Sequence, residues 1–292
     1  MKITGVTIIK NAIINDYPIV EAIESILPVV DEMIVSIGDS EDETIELIKS
    51  IHSPKIKIVH SVWDKNIRTE GRILAVETNK ALAHVSEDTD WIFYIQGDEA
   101  IHEKYHKGIL NASEKYLHNK KIEGLLFNYL HFYGTYDYVG DSRKWYNVET
   151  RIIRNNCGIL SYRDAQGFRK NNQKINVAKI DAFVYHYGWV KSPERMKIKQ
   201  KSVVEFWNDN DASVEGFRQT ENYFNFKEFD ALKKFSGTHP EVMKKRIAQK
   251  NWHIELDISK KKMKFKYRVL YWIEKLIGVR LFTFKNHKVV IR

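Results

Sequence analysis

Cysteine occurs once in the 292 residues, at Cys157, which excludes an intramolecular disulfide framework and any cysteine-rich zinc site. A lone thiol also fits a reducing compartment. Proline is scarce at five residues and glycine numbers 14, so collagen-like and linker-dominated chains are excluded too. Long apolar runs are missing. The longest uncharged stretch, Gly124 to Tyr136, is too short and too polar for a bilayer, which takes about 20 apolar residues. The opening MKITGVTIIKNAIIND has neither an extended apolar region nor a small-residue cleavage site, so no signal peptide is expected. The expectation is a soluble, cytoplasmic chain. HExxH, a serine nucleophile elbow, a Walker loop and GxGxxG are all absent, which removes the usual hydrolase, NTPase and dinucleotide readings.

What is present is an ordinary globular mix, 43% hydrophobic and 29% charged. The net charge of +9 suggests nucleic acid until it is located. From Ser259 to Arg292 there are 11 Lys and Arg against one acid, Glu274, whereas the remaining 258 residues hold 36 basic and 37 acidic side chains. The body is neutral and the basicity belongs to the tail. A nucleic-acid surface spread over the fold is therefore disfavoured.

Strand and helix patterns alternate through the first hundred residues. Ile3 to Ile9 is a β-rich apolar run, and Asp16 and Pro18 open a helix with Ile19, Ala22, Ile23, Ile26 and Leu27 on one face. Glu32 to Ile37, Ile56 to Val59 and Trp91 to Ile95 read as further strands, with helices around Thr44 to Ile51 and Gly71 to His84 between them. Such β-α repetition argues for a parallel sheet covered by helices on both faces. Ligands of these sheets sit at the carboxyl ends of the strands, so the loops after Ile9, Ile37 and Ile95 are expected to line the site. A helix near Lys104 to Asn119 precedes strands at Gly124 to Tyr136, Glu149 to Arg154 and Ile180 to Tyr187. Ser192, Pro193 and Glu194 then cap a helix bearing Met196, Val203, Phe206 and Trp207. Another helix begins near Pro240, and a last one covers Phe265 to Ile277 before Gly278. The expected layout is one α/β domain over residues 1–190 and a helical C-terminal extension over residues 191–292, ending in the basic tail.

Two strand ends carry chemistry. Ser36-Ile37-Gly38-Asp39-Ser40-Glu41-Asp42-Glu43-Thr44 is an apolar strand running through a tight acidic turn into a helix. Its N–H groups and short carboxylates suit a ribose or base; the alternative is that Ser40 or Asp42 merely caps the helix. Gln96-Gly97-Asp98-Glu99 follows the apolar Trp91-Ile92-Phe93-Tyr94-Ile95. A carboxylate there needs a cation or donors, and Asp98, with Glu99, is positioned to hold Mg²⁺ or Mn²⁺ or to form a solvated acidic turn.

Together, in order, these segments resemble the inverting, family-two-like glycosyltransferases of the GT-A fold. The resemblance rests on Lys10-Asn11 after the first strand, Gly38 to Thr44 after the second, Thr78-Asn79-Lys80-Ala81-Leu82 on a helix, and Asp98 after the fourth strand, and it covers about residues 1–190. It implies a Rossmann-like mixed sheet flanked by helices and transfer of a sugar, with inversion, from a nucleotide-sugar donor to a hydroxyl of a glycan or lipid-linked saccharide. It also implies contacts to the donor from Asn11, Asp39, Asp42 and Asp98, and Mn²⁺ or Mg²⁺ on Asp98. Two positions depart from the family pattern. Gln96 stands where the first acid of the metal motif belongs, and Ile37-Gly38 where an acidic pair usually opens the second motif.

The resemblance further implies a downstream carboxylate base, assigned to Asp164 in Ser161-Tyr162-Arg163-Asp164-Ala165-Gln166. A positioned carboxylate removes the proton of a sugar hydroxyl, itself a poor nucleophile. The alternative is a surface acid paired with Arg163 or Arg169. His186, at the end of an apolar strand, suits a further metal or diphosphate ligand, or a core histidine. Among the aromatics between Tyr129 and Trp189, Trp145 and Trp189, with Arg143, are the expected acceptor contacts, since aromatic faces stack on sugars. The tail KKKMKFKYR leads into a helix with Phe265, Val269, Trp272, Ile273 and Leu276, which suits peripheral contact with an anionic membrane face or packing on the domain. A catalytically inactive nucleotide- or glycan-binding module on the same fold is the second functional reading, carried by Gln96.

Overall fold

Strand β1 (Ile3–Ile9), helix α1 (Ile19–Ile26), strand β2 (Glu32–Ile37), helix α2 (Thr44–Lys49), strand β3 (Ile56–His60), helix α3 (Arg72–Leu82) and strand β4 (Trp91–Tyr94) realise the expected alternation. The computed structural model describes residues 1–220, 224–259 and 261–291; Lys260 and Arg292 of the basic tail lie outside them. Every residue of β1, β2 and β4 is buried. That is why these strands read as continuous apolar runs rather than alternating ones.

After β4 the chain adds β5 (Glu99–Ile101), α4 (His106–Tyr116), β6 (Gly124–Tyr133), β7 (Thr135–Gly140), β8 (Val148–Arg154), β9 (Ile159–Tyr162), β10 (Gly167–Lys170), β11 (Gln173–Lys174) and β12 (Asn176–Trp189). It closes with α5 (Pro193–Val203), α6 (Asp211–Gln219), β13 (Leu232–Lys234), α7 (Lys244–Ala248), α8 (Phe265–Ile277) and β14 (Lys288–Ile291).

One 11-stranded mixed sheet runs β3-β2-β1-β4-β8-β6-β12. The first four strands are mutually parallel, β8 is antiparallel to both β4 and β6, and β12 is parallel to β6. β5 and β14 pair with the far side of β12, and β7 with β13 continues along β6. One apolar layer joins Ile19, Ile23 and Ile26 of α1 and Ile109 of α4 to that face of the sheet. A second joins Ile73 and Ala81 of α3 to Ile159 and Phe168 of the small β9-β10-β11 sheet. The fold class is thus the expected Rossmann-like, GT-A-type mixed sheet flanked by helices.

Three elements differ from expectation. The stretch 124–136 is two strands, because Gly134 takes φ +71 and turns the chain back on itself. The hairpin of β9 and β10 was not legible, being only four residues a strand. The C-terminal extension is not wholly helical: Leu232–Lys234 and Lys288–Ile291 join the main sheet, the latter through β-branched Val289, Val290 and Ile291. Among the described residues, no helix is long and apolar enough to cross a membrane.

Candidate functional site

A cleft of about 730 Å³ opens at the carboxyl ends of β1 and β4. Its floor holds Ile8, Leu74 and Tyr94, and Trp63, just beyond β3, forms a wall. Its roof is α5 and the 3-10 turn that follows, contributing Lys199, Val203, Phe206 and Trp207. The roof is stapled down, since Gly71 N–H donates to Phe206 O at 2.8 Å and Arg68 Nε to Asn208 O at 3.1 Å.

Asp98 is the best-buried acid of the cleft. Its Oδ2 accepts from Lys199 Nζ at 3.3 Å and lies 3.7 Å from His186 Nε2. Burial pushes the carboxyl upward, yet the Lys199, His186 and Lys191 charges outweigh it and hold it at about 2. Lys199 also donates to Gly188 O at 3.1 Å. Behind it Lys191 is fully buried and bonded to Asp16 O; burial, followed by the Lys199 charge, pulls its ammonium down to about 7.

His186 is oriented from behind. His131 Nε2 lies 2.9 Å from Tyr146 O, which can only accept, so that nitrogen carries the proton. His131 Nδ1 then accepts from His186 Nδ1 at 3.2 Å, which turns His186 Nε2 toward Asp98. Burial lowers the pKa of both rings.

The residues present do not fit a divalent ion. Among the described residues, no three acidic, His or Cys groups gather as a metal site. Gln96 replaces one expected ligand, and its Nε2 donates to Ala165 O at 3.5 Å. Glu99 is locked to Arg151 through two bonds, Nε to Oε2 at 2.9 Å and Nη2 to Oε1 at 2.8 Å, and also accepts from the Tyr129 hydroxyl. Asp98 and His186 remain, and the Lys199 ammonium already stands on Asp98 Oδ2.

The other expected donor contacts are partly engaged. Asn11 lines the cleft with φ +53, and its Oδ1 accepts from Glu41 N at 2.7 Å. Asp42 accepts from Ile13 N and Ile14 N at 2.9 and 2.8 Å. Both side chains thus bind the β1 loop to the β2 loop. Asp39 pairs with Lys10 at 2.8 Å and accepts from Trp63 N at 3.2 Å. Its burial raises the carboxyl, but Lys10 and Trp63 win and its pKa is lowered.

Asp164 sits in the β9–β10 turn between Arg163 and Ala165, both at positive φ, +56 and +59. Strain of this kind gathers where a side chain must be aimed. A Cβ on Gly71 would stand 3.0 Å from Asp164 Cβ and 3.1 Å from the Trp207 ring, so Asp164 lies behind Trp207 of the roof and does not itself line the cleft. Its suggested surface partners turn elsewhere, Arg163 to Tyr162 and Arg169 to Asn286.

The expected acceptor residues are not brought to the cleft. Arg143 pairs with Glu274 at 2.7 Å. Trp145 and Trp189 pack against each other at 6.3 Å in a separate aromatic cluster with Tyr133 and Phe224.

Lys199, Trp63, Phe206 and Trp207 were missed as site residues. The signal for Lys199 was there: it falls between Met196 and Val203 on the apolar stripe of α5, where a solvated lysine does not belong. Trp63 and Trp207 gave no comparable signal.

No protein-family model matches the chain, and no curated protein sequence matches it. Solved structures similar to it include S. aureus TarS, at 16% identity over 70% of this chain with a TM-score of 0.42. This chain spans 39% of the length of that structure. TarS 1-349 in complex with UDP aligns at 17% identity over 75% of this chain and 70% of its own, with a TM-score of 0.39. Glucosyl-3-phosphoglycerate synthase from Mycobacterium tuberculosis, in complex with Mn²⁺, UDP and phosphoglyceric acid, aligns at 22% identity over 44% of this chain and 43% of its own, with a TM-score of 0.30.

Proposed function

We propose that this chain is a nucleotide-sugar-dependent glycosyltransferase. Residues 1–190 form its GT-A unit, and the extension over 191–292 roofs the donor cleft. The reaction is transfer, with inversion, to a hydroxyl of a glycan or lipid-linked saccharide. The observation that carries the reading is a half-buried ammonium, Lys199, held by Asp98 at the end of β4 in a cleft walled by Trp63 and Phe206. A diphosphate needs cationic charge and a nucleobase needs an aromatic face, and this cleft offers both within one volume.

In this reading the nucleoside lies toward Asn11, Asp39 and Trp63, and the diphosphate toward Lys199. Asp164 accepts the proton of the acceptor hydroxyl as the new C–O bond forms. Lys199 meets the negative charge that develops on the leaving diphosphate, and Asp98, His186 and His131 hold that ammonium in place. The roof excludes water that would otherwise hydrolyse the donor.

The test is a thermal-shift panel of UDP, GDP, CDP and dTDP, with and without Mn²⁺. Saturating ligand stabilises the folded state by about 2.7 kcal/mol at a hundredfold excess over Kd. One diphosphate is expected to raise the melting temperature without Mn²⁺, and Lys199→Ala to remove that rise. A melting temperature unmoved by every nucleotide would sink the reading. The inactive binding module is favoured by Gln96 alone; a shift without any transfer or donor hydrolysis would select it.

A further inference from the structure

Helix α8 buries Tyr271 and half-buries Leu270 and Ile273, and leaves the rest of its apolar surface outward. Its inward side is bonded to the protein: the Tyr271 hydroxyl donates to Asp141 Oδ2 at 2.6 Å, Lys275 reaches Asp141 Oδ1 at 3.2 Å, and Glu274 takes Arg143 at 2.7 Å and Arg280 at 3.1 Å. Arg280 anchors the following loop through Trp145 O at 2.5 Å and Ser142 O at 3.0 Å. The opposite side carries Phe265, Val269, Trp272 and Leu276, spaced 4, 3 and 4 residues apart and therefore in one row. These four are 73%, 42%, 63% and 86% exposed, and Phe282, just beyond the helix, is 88% exposed. Scattered surface apolar residues are ordinary, whereas a continuous row is the mark of a partner.

The charge around the row selects the partner. Lys266 borders it on one side and Arg268 on the other, within a segment where Glu274 is the one acid against 11 Lys and Arg. A second copy of this chain would set these cations against one another, which disfavours self-pairing. A nucleic acid would meet the cations but leave the apolar row without a role. An anionic lipid surface satisfies both, taking the side chains of the row among its acyl chains and the flanking ammonium groups at its headgroups.

We propose that α8 and the loop to Phe282 are a peripheral docking surface for anionic phospholipid bilayers. The polar seam to Asp141 and Arg143 fixes the helix to the domain, so the whole protein is held at the membrane face in one orientation. This inference does not depend on the chemistry read for the cleft.

The test is co-sedimentation of the full chain with phosphatidylcholine vesicles, with and without phosphatidylglycerol, at low and raised salt. Binding is expected with phosphatidylglycerol, and it weakens as salt screens the charges. The double variant Trp272→Ser, Leu276→Ser is expected to bind about tenfold or more weakly while keeping its melting temperature and its nucleotide response, because both side chains lie outside the packed core. Three outcomes would overturn the proposal: no sedimentation with anionic vesicles, unchanged sedimentation of the double variant, or a dimer in ultracentrifugation that the double variant abolishes.

Discussion

Glu149 shows how far one buried carboxyl can set the behaviour of the fold. It lies on β8, 4% exposed, with Oε2 lacking a partner and Oε1 3.5 Å from Asn286 Nδ2. Burial pushes its pKa to about 8; Arg151 works the other way but is committed to Glu99. Between the ordinary value near 4.5 and about 8, the unfolded chain has lost this proton and the folded chain keeps it. Stability therefore falls as pH rises through that window, by an amount on the order of 4 kcal/mol, and flattens above it. Glu149→Gln removes the titration. The variant should melt several degrees above the parent at pH 8 and near it at pH 4.5, as calorimetry at the two pH values would read. An equal difference at both would refute the assignment. At this scale the sequence was a partial guide. Asp98 was legible because a carboxylate closing a buried strand demands a partner, but its partner, Lys199, comes from 101 residues further on. Asn11 and Asp42 were legible as loop residues, while their bonds to Glu41, Ile13 and Ile14 depend on how two loops meet in space.

At the scale of elements, β12 links the core to the cleft. Its last residues pair with β6 and β5 while Asp98 O accepts from Tyr187 N at 2.7 Å, so the β4 end and the β12 end move as one. Gly188 is the tight point of that junction. A Cβ there would stand 2.6 Å from Asp98 Oδ2 and 2.8 Å from His186 Nε2, and the glycine is needed for that close approach. Gly188→Ala should displace the carboxylate from Lys199, weaken nucleotide diphosphate binding about tenfold, and cost about 1–3 kcal/mol of stability through overpacking. Titration calorimetry beside thermal unfolding separates the two effects; unchanged affinity would mean that Asp98 does not position the ammonium. The β-α units were readable because their periods of 2 and 3.6 alternate cleanly. The β9–β10 hairpin was not, because four-residue strands leave no period to detect and its place is set by packing of Phe168 and Ile159 on α3.

At the scale of the whole molecule, the charge arithmetic makes residues 259–292 look like an appended tail, and the structure weaves them in. Lys288 and Val289 pair with Asn176 and Val177 of β12, Arg280 bonds two carbonyls of the β7–β8 loop, and Arg169 binds Asn286 through its carbonyl at 2.5 Å and its side chain at 3.1 Å. A chain ending at Gly278 loses all of these, so its stability should drop by about 3 kcal/mol or more on urea unfolding. The same deletion takes away the Asn286 bond, which lowers the Glu149 pKa, and by admitting water also lifts the burial that raises it and is the larger effect. The raised pKa should then relax, and the fall in stability between pH 4.5 and 8 should flatten in the truncated chain. The two effects test one claim from two sides. A loss of stability with the pH slope intact would mean that the strand pairing matters but Glu149 is buried by the domain itself. No loss at all would make the tail an appendage, serving only the surface presented by α8. The joint outcome, a weaker fold with a flatter pH profile, is the one expected, because the segment leading into β14 lays Asn286 against Gly167 and the β8 carboxyl.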